Sequence, residues 1–190
     1  MSETNRRVYI ARRPEGMPVL EDFGIEDQAI DEVPEGMVLI KVDTISMDAF
    51  IRTTLDAPGL HETSPVGGTV TALGVGQVIA SACDELAEGD WVTGPTLAQT
   101  HALMPGAMFQ KIDVSQVPPS TYVGVLGMTT GLTAHVGMVT VGEVQEGDTV
   151  VVYTLVSVHN VDGDHICTLA QRKRTLPRSI HITLKFRNRI

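Results

Sequence analysis

The stretch from Gly124 to Val152 constrains this chain of 190 residues more than any other. It runs Gly-Val-Leu-Gly-Met-Thr-Thr-Gly-Leu-Thr-Ala-His-Val-Gly-Met, continues Val-Thr-Val-Gly-Glu-Val-Gln-Glu-Gly-Asp, and closes on Thr-Val-Val-Val. Val125, Leu126, Met128, Leu132, Val136 and Met138 recur at close to helical spacing, which predicts a helix over 124–138. Gly124, Gly127, Gly131 and Gly137 cost helix propensity, so they suit a place where another backbone or a ligand comes close. Glu146-Gly147-Asp148 then turns the chain into a continuous β-branched run, the pattern of a strand buried on both faces. Helix, turn and buried strand is how a dinucleotide-binding domain begins. The next physical requirement is a glycine-rich turn that sets a helix N-terminus against a pyrophosphate. Tyr153-Thr154-Leu155-Val156-Ser157-Val158-His159-Asn160 offers no such turn.

Charge and glycine content change at the same point. Residues 1–152 hold 7 Lys/Arg against 21 Asp/Glu, whereas residues 153–190 hold 7 against 2. Of 18 glycines, Gly163 alone follows Val152. The last residues therefore obey different rules from the rest. No apolar run approaches the ~18 residues of a membrane span, and the N-terminus Met-Ser-Glu-Thr-Asn-Arg-Arg lacks the apolar core of a secretory signal. Cys83 and Cys167 lie far apart, as free thiols of a reducing cytoplasm would.

Upstream, short strands are predicted at Val8–Ala11, Phe23–Ile30, Met37–Val42, Thr69–Ala82, Trp91–Thr93 and Ala107–Ile112, with a short helix within Ile45–Leu55. Glu35-Gly36 and Glu88-Gly89-Asp90 read as turns, and Gly74 and Gly76 as points of bend or close approach. Val117-Pro118-Pro119-Ser120 marks a boundary. The expected class is mainly β with an α/β start. It comprises a β-barrel domain (1–117), the first helix and strand of a cofactor domain (118–152) and a divergent basic tail (153–190). In the tail, Asn160-Val161-Asp162-Gly163 reads as a turn, and Ile180, Ile182, Leu184 and Phe186 alternate with polar residues as in a half-buried strand.

Five segments in order carry a resemblance. Arg12-Arg13-Pro14-Glu15-Gly16, Ser46-Met47-Asp48-Ala49-Phe50-Ile51-Arg52, Gly74-Val75-Gly76-Gln77-Val78, Val125-Leu126-Gly127-Met128-Thr129-Thr130-Gly131-Leu132-Thr133-Ala134-His135 and Glu146-Gly147-Asp148-Thr149-Val150-Val151-Val152 stand at family-like spacing. Together they resemble the zinc-independent, NADPH-using prostaglandin reductases and alkenal double-bond reductases of the medium-chain dehydrogenase/reductase superfamily. The second segment differs by alanine for proline and phenylalanine for tyrosine. The fourth carries one extra residue, and histidine replaces tyrosine at His135.

The resemblance implies a GroES-like barrel joined to a Rossmann domain, with NADP(H) as cofactor and reduction of the C=C bond of conjugated enones or alkenals. It places Thr133 and Phe50 near the nicotinamide. Phe50 serves equally as a packed aromatic, and the Thr133 hydroxyl as a bond to its own helix backbone. His135 reads as a polar spacer, and no catalytic residue is assigned. Zinc-dependent relatives carry a ligating cysteine and a Gly-His-Glu motif where Ser46-Met47-Asp48 and Gly67-Gly68-Thr69 stand here, so no metal is expected. The family's phosphate turn and 2′-phosphate lysine have no counterpart after Val152. The chain thus reads as a truncated or frame-disrupted member with weak NADPH binding. The alternative is a non-catalytic GroES-like interaction module with a basic tail. Self-association to a homo-oligomer is expected from an uncovered strand. A membrane is not an expected partner, and Arg172-Lys173-Arg174 with Arg178 reads as a solvated basic run rather than a nucleic-acid site.

Overall fold

The computed structural model describes residues 4–30, 32–55, 63–151, 155–159, 165–169 and 179–181. The chain divides into two compact units, 1–132 and 133–190, with the division falling inside a short helix.

The first unit is built on β-sheet. Strands β1 (Thr4–Ile10) and β2 (Phe23–Ala29) form an antiparallel pair running from Ile10 opposite Phe23 to Thr4 opposite Ala29. Five further strands are β3 (Met37–Ile45), β4 (Gly74–Ser81), β5 (Trp91–Gly94), β6 (His101–Pro105) and β7 (Gln110–Lys111). They form an antiparallel sheet in the order β6-β3-β4-β5-β7. β1 also bonds to the loops on either side of the sheet, through Val8 N–H to the Ala98 carbonyl and Val70 N–H to the Val8 carbonyl, both at 2.9 Å. These links curl the layers into the expected barrel.

β3 is an interior strand, paired with β6 on one side and β4 on the other, and Val38, Leu39 and Ile40 on it are buried in succession rather than alternately. With Val78, Leu86, Val92, Ala102 and Phe109, Val38 and Ile40 form the main core. A second cluster of Ile10, Leu55 and Val70 seats the helix α1 (Ala49–Thr54), and Ile51 packs against it. β3 breaks register with β4 between Leu39 and Ile40 and again between Val42 and Thr44. Gly76 faces that distortion: a Cβ there would lie 2.6 Å from Ile40 Cγ2. The strand glycine is therefore a point of close approach, as the sequence implied.

Two expectations need correction. Ala107–Ile112 is not one strand but a 3-10 turn at Gly106–Met108 followed by the two-residue β7, and β6 just before it was not anticipated. β6 lacks alternation and ends in Pro105; it exists because β3 offers it an edge. The helix expected over 124–138 is broken into a 3-10 turn (Pro119–Val123), a string of turns, helix α2 (Thr130–His135) and a π-helical turn (Val136–Val141). Gly127 is buried, and a Cβ on it would lie 3.0 Å from the Gly124 carbonyl oxygen, so Gly124 and Gly127 serve a tight turn, while Gly131 and Gly137 lie within the helical turns.

In the second unit, β8 (Thr149–Val151) begins where the buried strand was expected. Its parallel neighbour is β11 (Ser179–His181) from the tail. Between them, β9 (Leu155–His159) and β10 (His165–Leu169) pair antiparallel. The remainder of the alternating tail strand, the Asn160–Gly163 turn signal and the basic run at 172–178 lie outside the described residues. Among the described residues no helix is long and apolar enough to cross a membrane.

Candidate functional site

A cavity of about 710 Å³ opens in the first unit, within the size range of small-molecule sites. One wall comes from the sheet: Thr93 and Gly94 at the end of β5, then Phe109, Gln110, Lys111 and Ile112 along β7. The other lining comes from the segment from Tyr122 to Thr129 and from Ser46, just after β3. Apolar carbon and a few polar groups thus share the lining: the Thr93 hydroxyl, the Gln110 amide, the Lys111 ammonium and the Tyr122 phenol.

Several of those polar groups are already held. Lys111 Nζ lies 2.6 Å from Asp90 Oδ1. That bond, followed by one from the Ala87 N–H, keeps the Asp90 carboxyl below the ordinary carboxylate range. The Tyr122 hydroxyl donates to the Asp113 carbonyl at 2.7 Å. Thr129 Oγ1 donates to Asp48 Oδ1 at 2.9 Å, joining residues 81 apart in sequence.

Asp48 stands at the N-cap of α1, yet its side chain makes no capping hydrogen bond. The same helix lines a second, almost wholly apolar cavity of about 430 Å³ with Ile51 and Leu55, and Val8, Phe23 and Val70 lie opposite. The Arg12-Arg13 loop is fixed separately. Asp22 is buried, accepts from the Val19 N–H at 2.9 Å and meets Arg12 Nε at 2.7 Å. The Val19 bond and then the Arg12 bond hold its carboxyl below the ordinary value.

Phe50 lies on α1, 44% exposed, and lines neither cavity. Thr133 lies on α2, exposed, as does His135. Phe50 belongs to the first unit and Thr133 to the second. Ser46 lines the larger cavity, while Gly67-Gly68 forms a turn in which Gly68 N–H bonds the Pro65 carbonyl. Among the described residues no three of His, Cys, Asp and Glu converge on a point that could hold a metal ion. Tyr122, Lys111 and Gln110 were not visible as site residues in the sequence, because sheet pairing and a single hydroxyl bond bring them to the cavity. Thr129 carried one signal: it sits where the motif has an extra residue.

Beyond β8, the described residues Leu155–His159 form an extended strand, β9, with its backbone laddered to β10. Successive N–H groups of a strand point to opposite edges, so they do not converge on one anion as at a helix start. The described residues Leu155–His159 therefore do not form the converging N–H cradle that the phosphates of a dinucleotide need.

Residues 6–112 match the family described as the N-terminal domain of oxidoreductase. The chain is 34% identical over 151 residues to the NADPH-dependent curcumin reductase of Escherichia coli, a match covering 79% of this chain and 44% of that protein. It is 35% identical over 153 residues to YfmJ of Bacillus subtilis, covering 80% and 44%. The crystal structure of CurA from Vibrio vulnificus in complex with NADPH aligns with a TM-score of 0.66 at 29% identity, over 76% of this chain and 43% of that one. The chain thus spans less than half the length of these relatives.

Proposed function

The chain belongs to the zinc-independent branch of the medium-chain dehydrogenase/reductase superfamily, and from that premise we propose that its first unit is the substrate side of an NADP-dependent double-bond reductase. Residues 1–117 are then the substrate domain, 118–152 the start of the cofactor domain and 153–190 a separate tail. The substrate class is a conjugated carbonyl compound, an enone or alkenal, taken into the cavity between the β5–β7 edge and the 122–129 wall. Curcumin, on which the Escherichia coli relative acts by name, is of that class. Phe50 and Thr133 remain the proposed contacts for a nicotinamide, and the proposed setting is the cytoplasm.

The observation that carries this reading is the coincidence of family match and cavity: all but the far wall is drawn from residues 6–112. β9 sets its limit. Each lost charge-assisted phosphate bond is worth roughly 1.5–3 kcal/mol, so a site lacking several binds NADPH weaker by orders of magnitude. The expected outcome is that this chain alone takes up NADPH negligibly and does not oxidise it with a medium-chain enone. Fluorescence titration and absorbance at the nicotinamide band test both; micromolar binding or clear turnover would overturn the claim.

The extended β9 also favours a second reading, a GroES-like module that acts through protein contacts, with self-association through uncovered apolar residues such as Val125 and Met128. Salt-sensitive binding to an acidic surface without any NADPH signal supports it. A light-scattering mass at the 20.4 kDa of one chain removes its self-association.

A further inference from the structure

The wall of the large cavity poses a physical problem. From 124 to 129 the apolar side chains Val125, Leu126 and Met128 are exposed, so their burial contributes little to holding this part of the wall in place. Its own backbone bonds are local: Leu126 N–H to the Thr121 carbonyl, Gly127 N–H to the Gly124 carbonyl and Gly131 N–H to the Gly127 carbonyl. They shape the segment but do not tie it to the barrel. From 124 to 131, the one side-chain hydrogen bond that reaches the barrel among the described residues is Thr129 to Asp48.

Asp48 gives up an ordinary role to make that bond. An aspartate at an N-cap commonly accepts a bond from the backbone of the first helical turn, and the stability of a short helix depends on it. Here the carboxylate makes no capping bond and engages Thr129 instead. A partly buried carboxylate accepting from a hydroxyl is also a strong kind of tie, because the acceptor is charged.

We propose that Asp48 is a positioning residue. Through Thr129 it holds the 124–131 segment as the far wall of the cavity and thereby sets the affinity for the conjugated carbonyl ligand. This rests on the substrate reading above, but the tie can be measured without any ligand.

Thr129→Val removes the hydroxyl and keeps the shape; Asp48→Ala removes the acceptor. Thr129→Ser and Asp48→Asn each retain the bond. Losing one charge-assisted bond is expected to raise amide exchange at Leu126, Gly127 and Gly131 by about tenfold in the first pair, leaving exchange in β3 and β4 unchanged. The same pair should weaken binding of curcumin, followed by its own fluorescence, by about five- to tenfold. The second pair should stay within about threefold of the parent in both measurements. An unchanged melting temperature separates this from general destabilisation. Unaltered exchange in Thr129→Val and Asp48→Ala overturns the proposal. So does faster exchange with curcumin bound equally well by parent and variants. Faster exchange with no curcumin bound by the parent supports the tie and removes the substrate reading instead.

Discussion

The same turn is built twice in this chain, with different consequences. Ala87-Glu88-Gly89-Asp90 and Gln145-Glu146-Gly147-Asp148 each bond their last N–H to the first carbonyl at 3.1 Å. In each, the aspartate side chain accepts from the first residue's N–H, at 3.0 and 2.9 Å. Gly89 and Gly147 have φ of 93° and 92°, a conformation that suits glycine. Each turn launches a β-branched strand. β5 enters a five-stranded sheet and buries Val92 completely, whereas among the described residues β8 has β11 as its one sheet neighbour. Local sequence encodes a turn and a strand equally well in both places. What differs is the set of distant residues available to cover the strand.

The sharpest way to break that comparison is to remove side-chain volume from each side. Ile40 is fully buried in the main core, and Ile40→Ala is expected to destabilise the first unit by about 2–5 kcal/mol. Val150, partly exposed in β8, should cost well under that when changed to alanine. Urea unfolding followed by the single tryptophan, Trp91, reads the first unit, and far-ultraviolet circular dichroism reads the strands of both units. Equal losses from the two substitutions would show that β8 is as well covered as β3.

The turns separate the two regions more finely. Alanine in place of a glycine at positive φ costs about 1 kcal/mol or somewhat more. Gly89→Ala should therefore lower the urea midpoint of the Trp91 transition. Gly147→Ala carries the same local strain and should leave that transition unmoved. A shift from both would mean that the two units unfold as one.

This contrast also explains what the sequence made legible. The turns at Gly36, Gly89 and Gly147, the strands β1 to β5 and the short helix after β3 are dictated by neighbours in sequence, and each was anticipated within a few residues. β6 was not, because His-Ala-Leu-Met-Pro carries no alternation and becomes a strand only against β3. The 124–138 region has helical spacing, yet its first part, 124–129, folds as turns, since close backbone approach at Gly127 overrides the period there, and helix begins only at Thr130. At the candidate site, Ser46 and Asp48 stood in a recognised segment. Lys111 reaches the cavity only through the pairing of β7 with β5, and Tyr122 through its bond to the Asp113 carbonyl; neither can be inferred from local pattern.

The smallest expected effect concerns the one charge that distinguishes the two turns. Asp90 has Lys111 as partner, while among the described residues no ion pair engages Asp148. The Lys111 bond is the first cause of the lowered Asp90 value, with the Ala87 N–H second. A carboxyl whose folded value lies below its unfolded value stabilises the fold above the unfolded value, here 3.8. That contribution fades as pH falls through the lower folded value, because the folded state must then give up an ionised form that it favours. Lys111 is largely exposed, so the pair is screened by water and salt and its contribution is modest. Lys111→Met should therefore lower the urea midpoint slightly at neutral pH and flatten its decline on acidification, with the two curves converging once Asp90 is protonated. Parallel curves for parent and variant would show that the Ala87 bond alone holds the Asp90 carboxylate, and that the first turn owes its acid response to the backbone it shares with the second.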